Sequence, residues 1–306
     1  MRLKKYIFAA FLMMFSVVGS FGQTTRAVTV IAEPDALVWL NDVLRGKTGA
    51  DGKLEIKPLA AGAHRLRIRA DGFKEISQNL PATQKGDVKI ALVKTTDPAE
   101  LAFQEAERLA TSDREKAIAA YSRAIALRPK YAEANLALAR VLTATNDLEG
   151  ALKAVAAARR ARPGYAEASA AEGRIYVTEG NADKAIAAFK RAIAEGKGFQ
   201  PEAHAGLALL YQEKAEAAGA EGDYEAEEEN YTLAINSFTS AIKQLSGAPD
   251  AVTIYQLLGL AYEKMKKYTE AIAVYEEFLR LFPNSNESAA VQSFIVQLKK
   301  QMNGLQ

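Results

Sequence analysis

The chain has 306 residues, 49% hydrophobic and 25% charged, with 39 Lys+Arg against 37 Asp+Glu and a formal net charge of +2. That is ordinary globular material for two or three domains, and nothing in the charge balance points to a nucleic-acid partner. No cysteine is present. This excludes disulfides, zinc–thiolate sites, thiol nucleophiles and a lipidated cysteine after a leader.

The first 22 residues stand apart. Arg2, Lys4 and Lys5 precede an apolar run from Tyr6 to Val18, and Ser20-Phe21-Gly22 puts small residues three and one before Gln23. A basic start, a short apolar stretch and small residues at the break are expected of a secretory signal peptide. The run is short for a bilayer span. Residues 1–22 are therefore expected to direct export to the periplasm or the outside, with an uncleaved anchor as the alternative.

Residues 26–95 alternate in the strand period, predicting short strands over 27–32, 36–40, 53–57, 64–70 and 87–93. Turn chemistry separates them: EPD, ND, GADG, AAG, ADG and QKGD. The expectation is a small antiparallel β-sandwich. This segment carries 12 Lys+Arg against 8 Asp+Glu, whereas residues 97–306 carry 24 against 29. The change of sign and of pattern places a domain boundary at KTTDP, with Asp97 as a helix N-cap and Pro98 in the first turn.

After the boundary the period changes. Ala117, Tyr121, Ala124 and Pro129 are followed by Ala151, Val155, Ala158 and Pro163, then Ala185, Phe189 and Ala192, and later Ala271, Tyr275, Phe278 and Pro283. Positions i, i+4 and i+7 share one helix face, and the proline ends the helix. Ala117, Ala151 and Ala185 are spaced by 34 residues. Such a long period is expected of stacked helical units that bury their apolar faces only against neighbours. A preceding helix is predicted for each unit at 132–142, 166–176, 201–211 and 252–262. Each carries a small residue, Ala139, Gly173, Ala208 or Gly259, and three residues later Leu142, Tyr176, Tyr211 or Tyr262. Ala234 follows Ala185 by 49 residues, so 15 have been added, mostly within 213–230. Residues 287–306 are expected to form a capping helix, with Val291, Phe294, Ile295, Leu298 and Met302 on one stripe.

On these residues the helical part resembles the tetratricopeptide repeat family, with about five units over 97–286, the first degenerate. The resemblance implies an all-α solenoid with an extended groove that recognises proteins or peptides. The β segment resembles the PEGA domain of bacterial envelope proteins through Pro34, Ala36, Val38, Leu40, Gly62, His64, Gly72 and Phe73, although Gly49 stands where that family has proline. The stretch TGADGKLEIKPLAAGAHRLRIRADGF also resembles carboxypeptidase-regulatory-like domains. Either resemblance implies a β-sandwich.

The search for chemistry finds little. The two histidines, His64 and His204, have no neighbouring metal-ligand pattern. Ser240 and Lys243 fit SxxK without its partner motifs. The acidic run Glu221, Asp223, Glu225, Glu227, Glu228 and Glu229 lacks EF-hand spacing, so a solvated helical extension is expected. No enzyme, cofactor or metal is expected. Two candidate binding surfaces remain. Arg65, Arg67 and Arg69 alternate onto one sheet face near Trp39, either as a basic strip for an envelope polysaccharide or other polyanion, or as a solvated face. Trp39 is expected to stack on a sugar or to pack on the helices. In the solenoid, the residue after each small contact residue faces the groove: Arg140 and Arg174, in register with Glu133 and Glu167. The Asn/Lys set of carboxylate-clamp repeats is not reproduced. The expected function is an extracytoplasmic adaptor binding a protein or peptide partner through this groove, with a glycan-binding β-domain as the alternative.

Overall fold

The computed structural model describes residues 26–59 and 61–304; the expected leader lies outside them. The β segment has seven strands: β1 (Arg26–Ile31), β2 (Leu37–Leu40), β3 (Val43–Lys47), β4 (Lys53–Leu59), β5 (His64–Arg69), β6 (Ile76–Leu80) and β7 (Gly86–Lys89). They form two sheets, ordered β4-β1-β7 and β3-β2-β5-β6. Val28, Val30 and Ile56 of the first sheet share one core with Val38, Leu40, Leu66 and Ile68 of the second. That shared core makes the pair a sandwich, as the alternation demands. All pairings are antiparallel except β1 with β7, which run parallel.

Two strands were not expected, β3 and β6. β3 pairs with β2 through the two-residue turn Asn41-Asp42, both with positive φ (51° and 62°). Those are the dihedrals of a type I′ hairpin, and Asn and Asp tolerate them. The turn is pinned to β5, because Asn41 Oδ1 accepts from the Arg65 amide at 2.8 Å and its Nδ2 lies 2.9 Å from His64 Nδ1.

Eleven helices follow among the described residues: α1 (Pro98–Leu109), α2 (Arg114–Leu127), α3 (Ala132–Ala144), α4 (Leu148–Ala161), α5 (Ala166–Thr178), α6 (Ala182–Glu195), α7 (Pro201–Glu221), α8 (Tyr224–Leu245), α9 (Ala251–Lys264), α10 (Tyr268–Leu281) and α11 (Ser288–Gly304). Five helix pairs stack in order and α11 covers the last. The period is written in the caps as well as the cores. Asp113, Asp147 and Asn181, each 34 apart, cap α2, α4 and α6 by accepting the amides of Lys116, Gly150 and Lys184. Asp97 caps α1, with Pro98 in its first turn.

The small residues allow close packing. A Cβ built at Gly259 would lie 2.2 Å from the Tyr275 ring, and one at Gly173 would lie 2.6 Å from Phe189. Phe189 sits in the next contact too, 2.4 Å from a Cβ at Gly206. The added residues of the fourth unit lengthen α7 and α8 around a turn at Gly222 (φ 81°). Asp223, from the acidic run, caps α8. In α11 Val291, Ile295 and Leu298 are buried as expected, while Phe294 is 42% exposed with its ring 5.8 Å from that of Tyr275.

Candidate partner-binding groove

The groove is built from equivalent positions on α1, α3, α5, α7 and α9. Directly after the buried Ala106, Ala139, Gly173, Ala208 and Gly259 come Glu107, Arg140, Arg174, Leu209 and Leu260. Arg140 and Arg174 converge on one carboxylate. Arg140 donates to Glu202 Oε2 at 3.1 Å and Arg174 to Oε1 at 2.5 Å. Glu202 is the second residue of α7, as Glu133 and Glu167 are of α3 and α5, so it belongs to the same acidic row. The pair therefore closes on the next unit's acid rather than on Glu133 or Glu167. Both guanidinium side chains remain accessible, 46% and 57% exposed. Two cations thus share one hydrogen-bonded carboxylate in a helical half that is acidic overall.

Glu133 is held elsewhere, by Arg162, whose guanidinium also lies over the Tyr165 ring at 4.3 Å. Glu167 is half-buried. Burial pushes its carboxyl above the ordinary value and Asp42 of the β-domain adds to this, against opposing pulls from its own backbone contact, Arg162 and Arg140. Beyond the arginines the row turns apolar: Leu209 is 49% exposed and Leu260 38%. Glu202, Leu209, Leu260 and Glu107 were absent from the expected set. Their signal was present, since each occupies a register position already marked by Glu133 or Arg140.

The β-domain strip is not the free surface its sequence suggests. Arg65, Arg67 and Arg69 do share a sheet face, opposite the buried Leu66 and Ile68. Arg65 is exposed and donates to Ser77 Oγ at 2.8 Å. Arg67 lies over the Trp39 ring at 4.2 Å and pairs with Glu75 at 3.3 Å. Arg69 is only 7% exposed. It donates to Glu75 at 2.6 Å and to Glu107 of α1 at 2.5 Å, and its guanidinium stands 4.7 Å from the Phe103 ring. Burial opposes its charge, but Glu107 and Glu75 more than compensate, so it stays a firmly held cation. Trp39 is covered by arginines of its own sheet rather than presented to a sugar.

This face joins the sandwich to the helices. Gln104 of α1 accepts from the Gly72 amide at 2.8 Å and donates to the Phe73 carbonyl at 2.9 Å. At the other end of the solenoid, Val43 of β3 packs with Leu245, Ala248, Ala251 and Tyr255. Arg45 donates to the Ser246 carbonyl at 2.9 Å. Burial without a carboxylate lowers the Arg45 guanidinium to about 10. The sandwich therefore touches α1, comes near α5 through Asp42, and rests on the turn between α8 and α9. It lies across part of the groove and leaves Arg140, Arg174, Leu209 and Leu260 accessible.

Among the described residues the candidate catalytic side chains stand apart from one another. His64 contacts Asn41, His204 Nε2 lies 3.2 Å from the Gly198 carbonyl, and Ser240 donates within its own helix to Asn236. Among the described residues no group of three or more His, Asp or Glu is placed to hold a metal ion, and no helix is long and apolar enough to cross a membrane.

Family profiles of the tetratricopeptide repeat match residues 108–175, 170–228 and 220–286. The chain belongs to the tetratricopeptide repeat proteins, whose fold typically serves protein-interaction scaffolds. Among solved structures, yeast Tom70 is similar with a TM-score of 0.55 at 18% identity, over 68% of this chain and 41% of that one. A chain of the APC/C hetero-tetramer Cut9-Hcn1 gives 0.50 at 19% identity, over 67% and 37%. A thermophilic TPR protein of Thermus thermophilus, TTC0263, gives 0.47 at 19%, over 65% and 99%. At such identities the likeness shows the fold alone, and this chain spans well under half of the Tom70 and Cut9-Hcn1 chains. No curated protein matches it in sequence.

Proposed function

We propose that this protein is a non-catalytic scaffold beyond the cytoplasmic membrane, binding a protein or peptide partner in the open part of its groove. The observation that carries the reading is the row Arg140, Arg174, Leu209 and Leu260. It sets two accessible cations beside two accessible leucines, in the register of the solenoid itself. An acidic group followed by apolar side chains is the chemistry that fits such a row. Arginine favours carboxylates through its planar fork, and apolar side chains gain by leaving water.

Export rests on residues 1–22, whose basic start and short apolar run suit a signal peptide. N-terminal sequencing of the exported protein is expected to return Gln23; recovery of Met1 makes the segment an anchor instead. For the scaffold itself, affinity purification of the full chain from its native envelope, read by mass spectrometry, is expected to yield a protein that is lost on Arg140→Ala with Arg174→Ala. Recovery of glycan or cell-wall material and no protein overturns the reading.

A further inference from the structure

The two ends of the contact between sandwich and solenoid are unequal. At α1 the contact is dense. Arg69 is buried between Glu107 and Glu75, Gln104 clamps both the Gly72 amide and the Phe73 carbonyl, and the Thr95 amide donates to the Gly72 carbonyl at 2.8 Å. The chain passes directly from there into α1 through Thr96 and Asp97. At the α8–α9 turn the contact is sparse. Val43, 5% exposed, joins the cluster of Leu245, Ala248, Ala251 and Tyr255, and the Pro58 ring of β4 lies beside Gly247. Arg45 reaches a neutral carbonyl at Ser246, makes no ion pair among the described residues, and keeps its Nε buried without a partner. Between the two ends, Asp42 at the hairpin tip pairs with Arg67 of its own sheet at 3.5 Å and adds a like charge to the surroundings of Glu167.

We propose that the sandwich is a gate across the groove, hinged where β5 meets α1 and seated reversibly, by the tip of its β2–β3 hairpin, on the turn between α8 and α9. Lifting the tip separates Asp42 from Glu167, returns the Arg45 guanidinium to water, and uncovers the apolar seat around Ala248 and Tyr255. Its cost is the burial of Val43, the contact of Pro58 beside Gly247, and one hydrogen bond. The hinge keeps its ion pairs throughout. A partner that extends from the open row onto the α8–α9 turn then competes with the seated hairpin, which rests on the groove being the partner site.

The absence of native cysteine makes the test direct. Nitroxide pairs are placed on the full chain at Leu44→Cys with Lys264→Cys, across the seat, and at Lys74→Cys with Arg114→Cys, across the hinge. Distances are read by double electron–electron resonance, with and without Val43→Asp or Ala248→Asp. The expected result is a new longer-distance population across the seat in both variants, with the hinge pair unchanged. Unchanged seat distances in both variants overturn the gate, and so does a hinge pair that lengthens in Ala248→Asp. If Val43→Asp unfolds the sandwich, Ala248→Asp decides, because it charges the seat from the solenoid side. No partner enters this experiment, so its failure leaves the scaffold reading standing.

Discussion

Arg69 on β5 and Glu107 on α1 meet at 2.5 Å, and this pair, more than the short junction, ties the sandwich to the solenoid. Arg69 also serves Glu75 and lies over Phe103, so its removal leaves two carboxylates and an aromatic face without their shared partner. Breaking a buried pair from one side costs roughly 3–5 kcal/mol. Arg69→Ala is expected to lower the melting temperature of the full chain by calorimetry. Arg69→Lys is expected to restore little, because an ammonium lacks the fork that reaches both acids. A melting temperature unchanged in Arg69→Ala contradicts the interface.

The repeat register is tested at Gly259. Any side chain there points into the Tyr275 ring, whose hydroxyl is fixed by a 2.6 Å hydrogen bond to Glu263. Gly259→Leu is expected to destabilise by about 1–3 kcal/mol or more through overpacking. Chemical denaturation followed by circular dichroism measures this, and an unchanged midpoint means that α9 and α10 do not meet at Gly259.

Much of this fold was legible because local signals agreed. The Ala117, Ala151 and Ala185 period located the second helices, and the small residues at Gly173 and Gly259 did mark close helix contacts, while the one at Gly206 went unmarked beside Ala208. The acidic run at 221–229 became longer α7 and α8, as a helical extension should. What escaped was non-local. β3 and β6 lack clean alternation, and VLRGK is made a strand by its pairing with β2 rather than by its own residues. The site was half legible: register placed Arg140 and Arg174 correctly on one face, but their acceptor Glu202 lies on a later unit. Arg69 could not be recognised as buried from its strand period, because period two says which face it occupies and nothing of what covers that face.

Glu167 gives a pH signature. Its carboxyl is raised above 4.5 by burial and by Asp42, so the folded state favours the protonated form. Stability contributed by that form is present below the ordinary glutamate value and is lost as the pH rises through the raised folded value. Glu167→Gln is therefore expected to stabilise the protein near neutral pH, with the difference vanishing as the pH falls below 4.5. Thermal melts of both proteins from about pH 4 to about pH 8 check this. A gap that widens on acidification contradicts the assignment.

The central claim is that the arginine pair in the groove contacts a partner. Each arginine shares Glu202 at an accessible position, where such pairs contribute about 0–1 kcal/mol to stability. Arg140→Ala with Arg174→Ala should therefore leave the melting temperature nearly unchanged. Titration of the captured partner into wild-type and doubly substituted full-length protein, read by isothermal calorimetry, measures the claim most directly. The expected result is a loss of about 2 kcal/mol, roughly 30-fold in Kd. Binding by the double variant at wild-type strength contradicts the groove assignment.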